Sequence, residues 1–296
     1  MIPLSISILR PYDFATSVRD HGWIALEPFR WHDDKSAMQR VELLDNGKVV
    51  ILTVTAENAD KEIQLRIDVE ADGDITLDEL DEVRTKVRWM LKLDEDFTEF
   101  YALTARDPML AAKLVSGRGR LLRSPSLFED VVKTICTTNT NWTQTKGMVA
   151  RLVACLGEPY PLDPEVHAFP SPKQVAAAGE AVFQTDIRLG YRNAYVLQLG
   201  REVAEGRRDL EALKTSDLPY NELKKELKSI KGVGDYAAHT LMMILGRYDE
   251  VAFDSELRNF VGKKYGVGRS LTEKEMVAIY DHWGHWKYLA YWFDAS

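Results

Sequence analysis

Cysteine is scarce in this chain: Cys136 and Cys155 are the only two in 296 residues. So few do not make a disulfide framework, and buried thiols are the default expectation. They also cannot supply the four thiolates of an iron–sulfur cluster. Long apolar runs are lacking as well, with none approaching the roughly 18 residues of a membrane span. The short apolar start, Met1 to Arg10, has neither the basic opening nor the small-residue cleavage site of a secretion signal. A cytoplasmic protein with no membrane partner is expected. There is no internal repeat, no low-complexity segment and no Gly-rich nucleotide loop. A positive excess is missing too: the net charge is −8, which taken alone argues against nucleic acid.

What is present is a normal globular composition, 45% hydrophobic and 28% charged, over a length that suggests two domains, or one with an added module. The charge is partitioned. Residues 60–107 are strongly acidic, with Asp68, Glu70, Asp72, Asp74, Asp78, Glu79, Asp81 and Glu82 close together. From Lys113 to Arg151 the balance reverses, with seven Lys and Arg against Glu129 and Asp130. Lys224, Lys225, Lys228 and Lys231 form a second basic cluster. Ordinary solvated faces would explain this pattern, and so would a local phosphate-binding face.

The first part reads as β-rich. Val41 to Leu44, Asn46-Gly47 and Val49 to Thr55 read as a hairpin, because Asn-Gly favours a type I′ turn. Ile63, Leu65, Ile67 and Val69 alternate as in a half-buried strand. Leu77 to Leu93 has helical spacing, and from about Asp94 the text is helical. Segments are expected at Leu127 to Ile135, Lys146 to Leu156, Arg192 to Glu205, Tyr220 to Ile230, Asp235 to Leu245 and Glu273 to Asp281. Ser171-Pro172 opens another, with Ser as N-cap and Pro in the first turn. The fold class is therefore mainly α with an N-terminal α+β domain. The expected division is a β-rich auxiliary domain at 1–93 and an all-helical domain at 94–296.

The sharpest local signal is Ile230-Lys231-Gly232-Val233-Gly234-Asp235, between two helical segments. Two glycines around one apolar residue make a tight turn needing φ > 0 or close backbone approach. Val233 plugs the gap between the helices, and the outward amides suit a DNA phosphate. A plain helix–helix turn would look the same. Asp254, in Val251-Ala252-Phe253-Asp254-Ser255, follows at the expected N-terminal edge of the next helix, where it is either an N-cap or a carboxylate at the lip of a cleft.

Hairpin and Asp together resemble the helix-hairpin-helix, Gly/Pro-rich, Asp DNA glycosylases. Further stretches look like the 8-oxoguanine DNA glycosylase branch: Gly119-Arg120-Leu121-Leu122-Arg123, Ile135 to Asn141, Gly147 to Leu152, His167 to Ser171 and Leu189 to Tyr195; in lacking the Schiff-base lysine the chain is similar to the bacterial 3-methyladenine glycosylases. The likeness runs from about Leu93 to the end, with the helix-hairpin-helix at 221–246. It implies the glycosylase fold and a damaged double-stranded DNA partner. It also implies Asp254 as the catalytic carboxylate, because cleavage passes through a sugar cation after the base leaves the stack. By the same resemblance, Asn139 fills the gap left by the flipped base, and Arg192 and its neighbour Tyr191 contact the estranged partner. Lys231, Gly232, Val233, Gly234 and Asp235 hold the DNA backbone.

Two positions depart from the pattern. Bifunctional members carry a lysine nucleophile where this chain has Tyr236, so lyase activity is not expected. Gln144 stands where the oxoguanine branch has an arginine reading the opposite base. The base pocket is expected to draw on Tyr236, His239, Tyr288 and Trp292, with Trp286 and Tyr291 as core. The resulting expectation is a monomeric, monofunctional DNA N-glycosylase of bacterial-type nucleoid repair, acting on an alkylated purine. It needs no iron–sulfur cluster, and the hairpin leaves room for a monovalent cation. Oxidised purine is the alternative substrate. A non-catalytic DNA-binding helix-hairpin-helix protein is the alternative of another class. Asp281, His282 and His285 make a weaker metal reading, lacking a second His pair.

Overall fold

The computed structural model describes residues 2–58, 61–108, 110–114, 116–251, 255–266 and 269–295. Five antiparallel strands, β1 (Ile2–Leu9), β2 (Phe29–His32), β3 (Ala37–Leu43), β4 (Val49–Asn58) and β5 (Glu62–Ala71), form one sheet in the order β1-β5-β4-β3-β2. A small ribbon pairs β6 (Pro159–Tyr160) with β7 (Asp163–His167). The helices in chain order begin with α1 (Phe14–Arg19), α2 (Leu77–Met90), α3 (Thr98–Thr104), α4 (Ala111–Leu114) and α5 (Leu127–Thr137). There follow α6 (Trp142–Leu156), α7 (Pro172–Ala177), α8 (Glu180–Val182), α9 (Asn193–Ala204), α10 (Tyr220–Lys228) and α11 (Asp235–Ile244). The last three are α12 (Ser255–Tyr265), α13 (Glu273–Ala278) and α14 (Lys287–Ala295). The mainly α fold with an N-terminal α+β part is thus as expected.

Compactness divides the chain into two units, each drawn from two segments: Met1–Asp94 with Arg120–Thr215, and Glu95–Gly119 with Ser216–Ser296. The expected boundary at 93/94 falls after α2, beyond the last strand of the sheet. The compact unit crosses it, because the sheet residue Arg40 binds Glu129 of α5.

In the first unit the alternation of β5 works as its pattern requires: Ile63, Leu65, Ile67 and Val69 are all buried. The acidic helix α2 starts in a capping box between Thr76 and Glu79, which satisfies two of the open amides of its first turn. The Asn46-Gly47 hairpin forms, but not through a type I′ turn, which needs φ > 0 at both central residues. Of the pair only Gly47 has positive φ, at +89°, and its amide donates to the Leu44 carbonyl at 2.8 Å. The Asn46 amide nitrogen instead reaches Glu79 at 2.6 Å.

Helix α5 is buried from Leu127 through Cys136, so its charged residues are enclosed with it. Glu129 receives both terminal nitrogens of Arg40, at 2.9 and 2.6 Å, and Lys133 at 2.6 Å. Asp130 accepts from the Trp23 indole at 2.7 Å and the Ser124 amide at 2.9 Å. His21 stacks on Trp23 with centroids 4.1 Å apart and holds the Leu122 carbonyl at 2.8 Å from Nδ1.

Burial pushes His21 down to about 4, and burial with the neighbouring Glu129 pushes Asp130 up to about 6. The two act in opposite directions. As pH falls from 6.5 towards 4, the unfolded chain takes up a proton on His21 that the folded chain refuses, so stability is lost. As pH falls through 6 towards 3.8, the folded chain takes up a proton on Asp130 before the unfolded chain does, so stability is gained. Asp130→Asn removes the gain alone. The Tm of that variant is expected to fall more steeply than wild type between these limits, and a slope no steeper would refute the assignment.

Candidate nucleic-acid interface

The second unit carries the hairpin. Helix α10 ends on buried Leu227 and Ile230, the chain turns at Gly232 (φ +95°), and Gly234 caps α11. Val233 is buried, as its role as a plug requires, and its amide donates to the Ile230 carbonyl at 3.0 Å. Lys231, Gly234, Asp235 and Tyr236 are exposed on the outer side. Asp235, in the first turn of α11, pairs with Lys228 at 2.6 Å, and that hydrogen bond holds its carboxyl below the ordinary range. Lys225, Lys228 and Lys231 face solvent beside the turn.

His239 lies inside a polar set tying α10 to α11. Its Nδ1 donates to the Asp235 carbonyl at 2.8 Å, and its Nε2 accepts from Lys224 at 3.0 Å. Lys224 also meets Glu250 at 2.8 Å. Burial lowers the His239 pKa, which favours the neutral ring this bonding requires. His239 therefore braces the hairpin helices from within, whereas Tyr236, one turn earlier, is half exposed.

Tyr288 and Trp292 stand one turn apart on α14, the first buried and the second half-buried. Trp286 and Tyr291 are buried, as expected of core aromatics; Trp286 packs on Phe97, Phe100 and Tyr248. Asp294, a carboxylate that the sequence did not single out, accepts from the Tyr265 and Tyr280 hydroxyls at 2.7 and 2.8 Å and pairs with Lys264. It is a structural anchor. Asp254 lies outside the described residues. Among the described residues no His, Cys, Asp or Glu group could hold a metal ion.

The first unit carries the loop between α5 and α6. Thr138 caps α5, Asn139 adopts a left-handed conformation (φ +47°), and the Asn141 side chain caps α6 by accepting from the Gln144 amide at 2.9 Å. Residues 139 and 141–144 are exposed. The Tyr191 hydroxyl accepts from the Asn139 side-chain nitrogen at 3.3 Å, so wedge candidate and neighbour meet directly. The Gln144 side-chain oxygen accepts from the Thr140 hydroxyl at 2.7 Å. Arg192 turns inward and is only 6% exposed. Sequence reasoning missed Trp142: it opens α6 at 41% exposure, with its ring against the Gly22 turn. The available signal was an aromatic directly after a capping Asn.

The basic stretch from Lys113 to Arg151 is not a cationic face. Lys133 and Arg123 are buried, and Arg120, Arg123 and Arg151 donate to the backbone carbonyls of Lys92, Trp89 and Ile187. The exposed lysines beside the hairpin, Lys225, Lys228 and Lys231, are the solvent-facing cations of the second basic cluster.

Sheet, helical content and hairpin together define the fold class: the chain has the helix-hairpin-helix DNA glycosylase fold. Among solved structures it is similar to the 3-methyladenine DNA-glycosylase from Archaeoglobus fulgidus, with TM-score 0.75 and 20% identity over 99% of this chain and 97% of that one. It is also similar to the Clostridium acetobutylicum 8-oxoguanine glycosylase/lyase in its apo form, with TM-score 0.70 and 19% identity over 98% and 94%. A DNA-3-methyladenine glycosylase of Bacillus subtilis (strain 168) is 23% identical over 201 residues, 66% of this chain, and the chain spans 65% of that relative's length. No family model matches the chain. No described helix is long and apolar enough to cross a membrane.

Proposed function

We propose that the protein is a monofunctional DNA glycosylase of base excision repair that releases an alkylated purine from damaged duplex DNA. The observation that carries this reading is the exposed left-handed Asn139, joined to Tyr191, in a chain whose other unit holds the Gly232–Gly234 hairpin. The flipped nucleotide leaves a hole in the stack, and Asn139 is small and polar enough to enter it, with Tyr191 beside it. The hairpin amides and the exposed Lys225 and Lys231 hold phosphate oxygens without reading sequence.

Asp254 then stabilises the sugar cation and orients the attacking water. Tyr236 occupies the position that would need an amine for a lyase step, and a phenol forms no Schiff base. Its half-exposed ring, with Trp292, is suited to stack on a base, and aromatic faces favour the cationic charge of alkylated purines. Oxidised purine is the second reading, supported by the equally complete likeness to an 8-oxoguanine glycosylase/lyase.

Duplexes carrying an alkylated purine or 8-oxoguanine, incubated with the protein and analysed with and without hot alkali, test both points. Alkali-dependent breaks in the alkylated duplex are expected. Breaks formed without alkali would refute the role given to Tyr236, and cleavage confined to the 8-oxoguanine duplex would transfer the substrate to the second reading.

A further inference from the structure

An arginine at the start of a surface helix is ordinarily a solvated cation. Arg192 is 6% exposed and lies beneath Tyr191, with its guanidinium carbon 4.4 Å from the ring centroid. It donates to the carbonyls of Ile135 and Leu189, both at 3.2 Å, and to that of Thr138; Asn139 O lies 3.5 Å away and the Thr138 hydroxyl 3.4 Å. Apart from the Leu189 carbonyl in its own turn, these acceptors lie at the end of α5 and on the first residues of the loop. A fixed fork of five N–H donors can satisfy several such carbonyls together, and the negative helix end favours a cation there. Asn139, the next residue, sits in the left-handed region, which asparagine tolerates better than other non-glycine residues, and the Arg192 fork reaches the carbonyls on both sides of that turn. Tyr191 closes the arrangement from above through its bonds to Asn139 and Thr138.

We propose that Arg192 is a positioning residue that fixes the Asn139 wedge, and that the enzyme consequently releases its base with little regard to the base opposite. The inference rests on the glycosylase reading above. A fixed donor fork discriminates among base edges, and here that fork is committed to the protein backbone. Among the polar groups left at the exposed loop and beside it are the Asn139 and Gln144 amides and the Tyr191 hydroxyl. Each is both donor and acceptor, and such groups find a partner on any of the four bases.

The test uses duplexes with a tetrahydrofuran abasic analogue opposite A, C, G or T, so that affinity is read without catalysis. Wild-type affinities are expected to agree within about threefold, against the roughly tenfold or more that a discriminating bidentate contact gives. Arg192→Lys keeps the charge but loses the fork. It is expected to weaken all four duplexes by one common factor, about tenfold, and to leave the single-stranded abasic oligonucleotide unaffected. Asn139→Ala alters only an exposed side chain, and the double variant should be no weaker than the weaker single, since both changes remove the same wedge.

A wild-type spread of about tenfold or more among the opposite bases, an Arg192→Lys effect that changes their ranking, or additive losses in the double variant would each overturn the proposal. If Arg192→Lys does not fold, wild type and Asn139→Ala still decide the opposite-base question. Failure to bind any abasic duplex at all would instead remove the glycosylase reading.

Discussion

Replacing Asp254 with Asn is expected to lower single-turnover base release by about 10³-fold or more while retaining affinity for lesion duplex within a few-fold. The substitution keeps size and hydrogen-bonding capacity but removes the negative charge. Departure of the base leaves positive charge on the sugar, so the loss falls on the transition state and not on the bound ground state. The measurement is release rate at saturating enzyme alongside Kd for the same duplex. Near-wild-type release would end the mechanism. Equal loss of rate and affinity would make Asp254 a binding residue, with no catalytic role.

Removing Glu129 is expected to have the largest effect on stability. Its carboxylate is the anion shared by two buried cations, Arg40 and Lys133, whose side chains are 2% and 0% exposed. Arg40 keeps Glu42 at 2.6 Å, but Lys133 loses its ion-pair partner and keeps the aromatic faces of Phe29 and Phe169 and the more distant charge of Asp130. Breaking a buried pair by deleting one partner costs roughly 3–5 kcal/mol. For a chain of this size, Glu129→Ala should then lower Tm by on the order of 10 °C.

The same contacts give the pH dependence. Burial opposes the charge of Glu129, but Arg40 and Lys133 outweigh it and hold the carboxyl down at about 2, against an ordinary 4.5. The stabilisation is therefore complete above pH 4.5 and is lost as pH falls towards 2. Glu129→Ala should lose that acid limb along with the stability. Thermal melts at neutral and acid pH check both, and a loss below about 1 kcal/mol would mean that the cluster relaxes without its central anion.

The elements were largely legible because their signals are local. The alternation in β5, the Thr76 and Ser171 caps and the two glycines of the hairpin each specify backbone geometry within a few residues. What stayed hidden depends on partners distant in sequence. Arg192 reads as a surface cation until the carbonyls of Ile135 and Thr138 are placed around it. The seven cations between Lys113 and Arg151 read as a charged face until Lys133 and Arg123 are found in the interior. Even Asn46-Gly47, the most local signal of all, took another turn, in which the Asn46 side chain bonds both the Lys48 amide and Glu79, far along the chain. At the candidate site, Asn139 and the hairpin were legible as positions, whereas the bonds of His239 to Lys224 and the Asp235 carbonyl were not, because they join two helices across the turn.

The enclosure of α5 has an evolutionary consequence. Because every residue from Leu127 through Cys136 is buried, the helix has no solvent side on which sequence can drift, and its carboxylates Glu129 and Asp130 are matched to Arg40, Trp23 and the Ser124 amide elsewhere in the same unit. Exchanges of its carboxylates therefore require compensating changes in β3 or in the Trp23 turn. In diverging descendants this segment should retain its pairings as coupled sets.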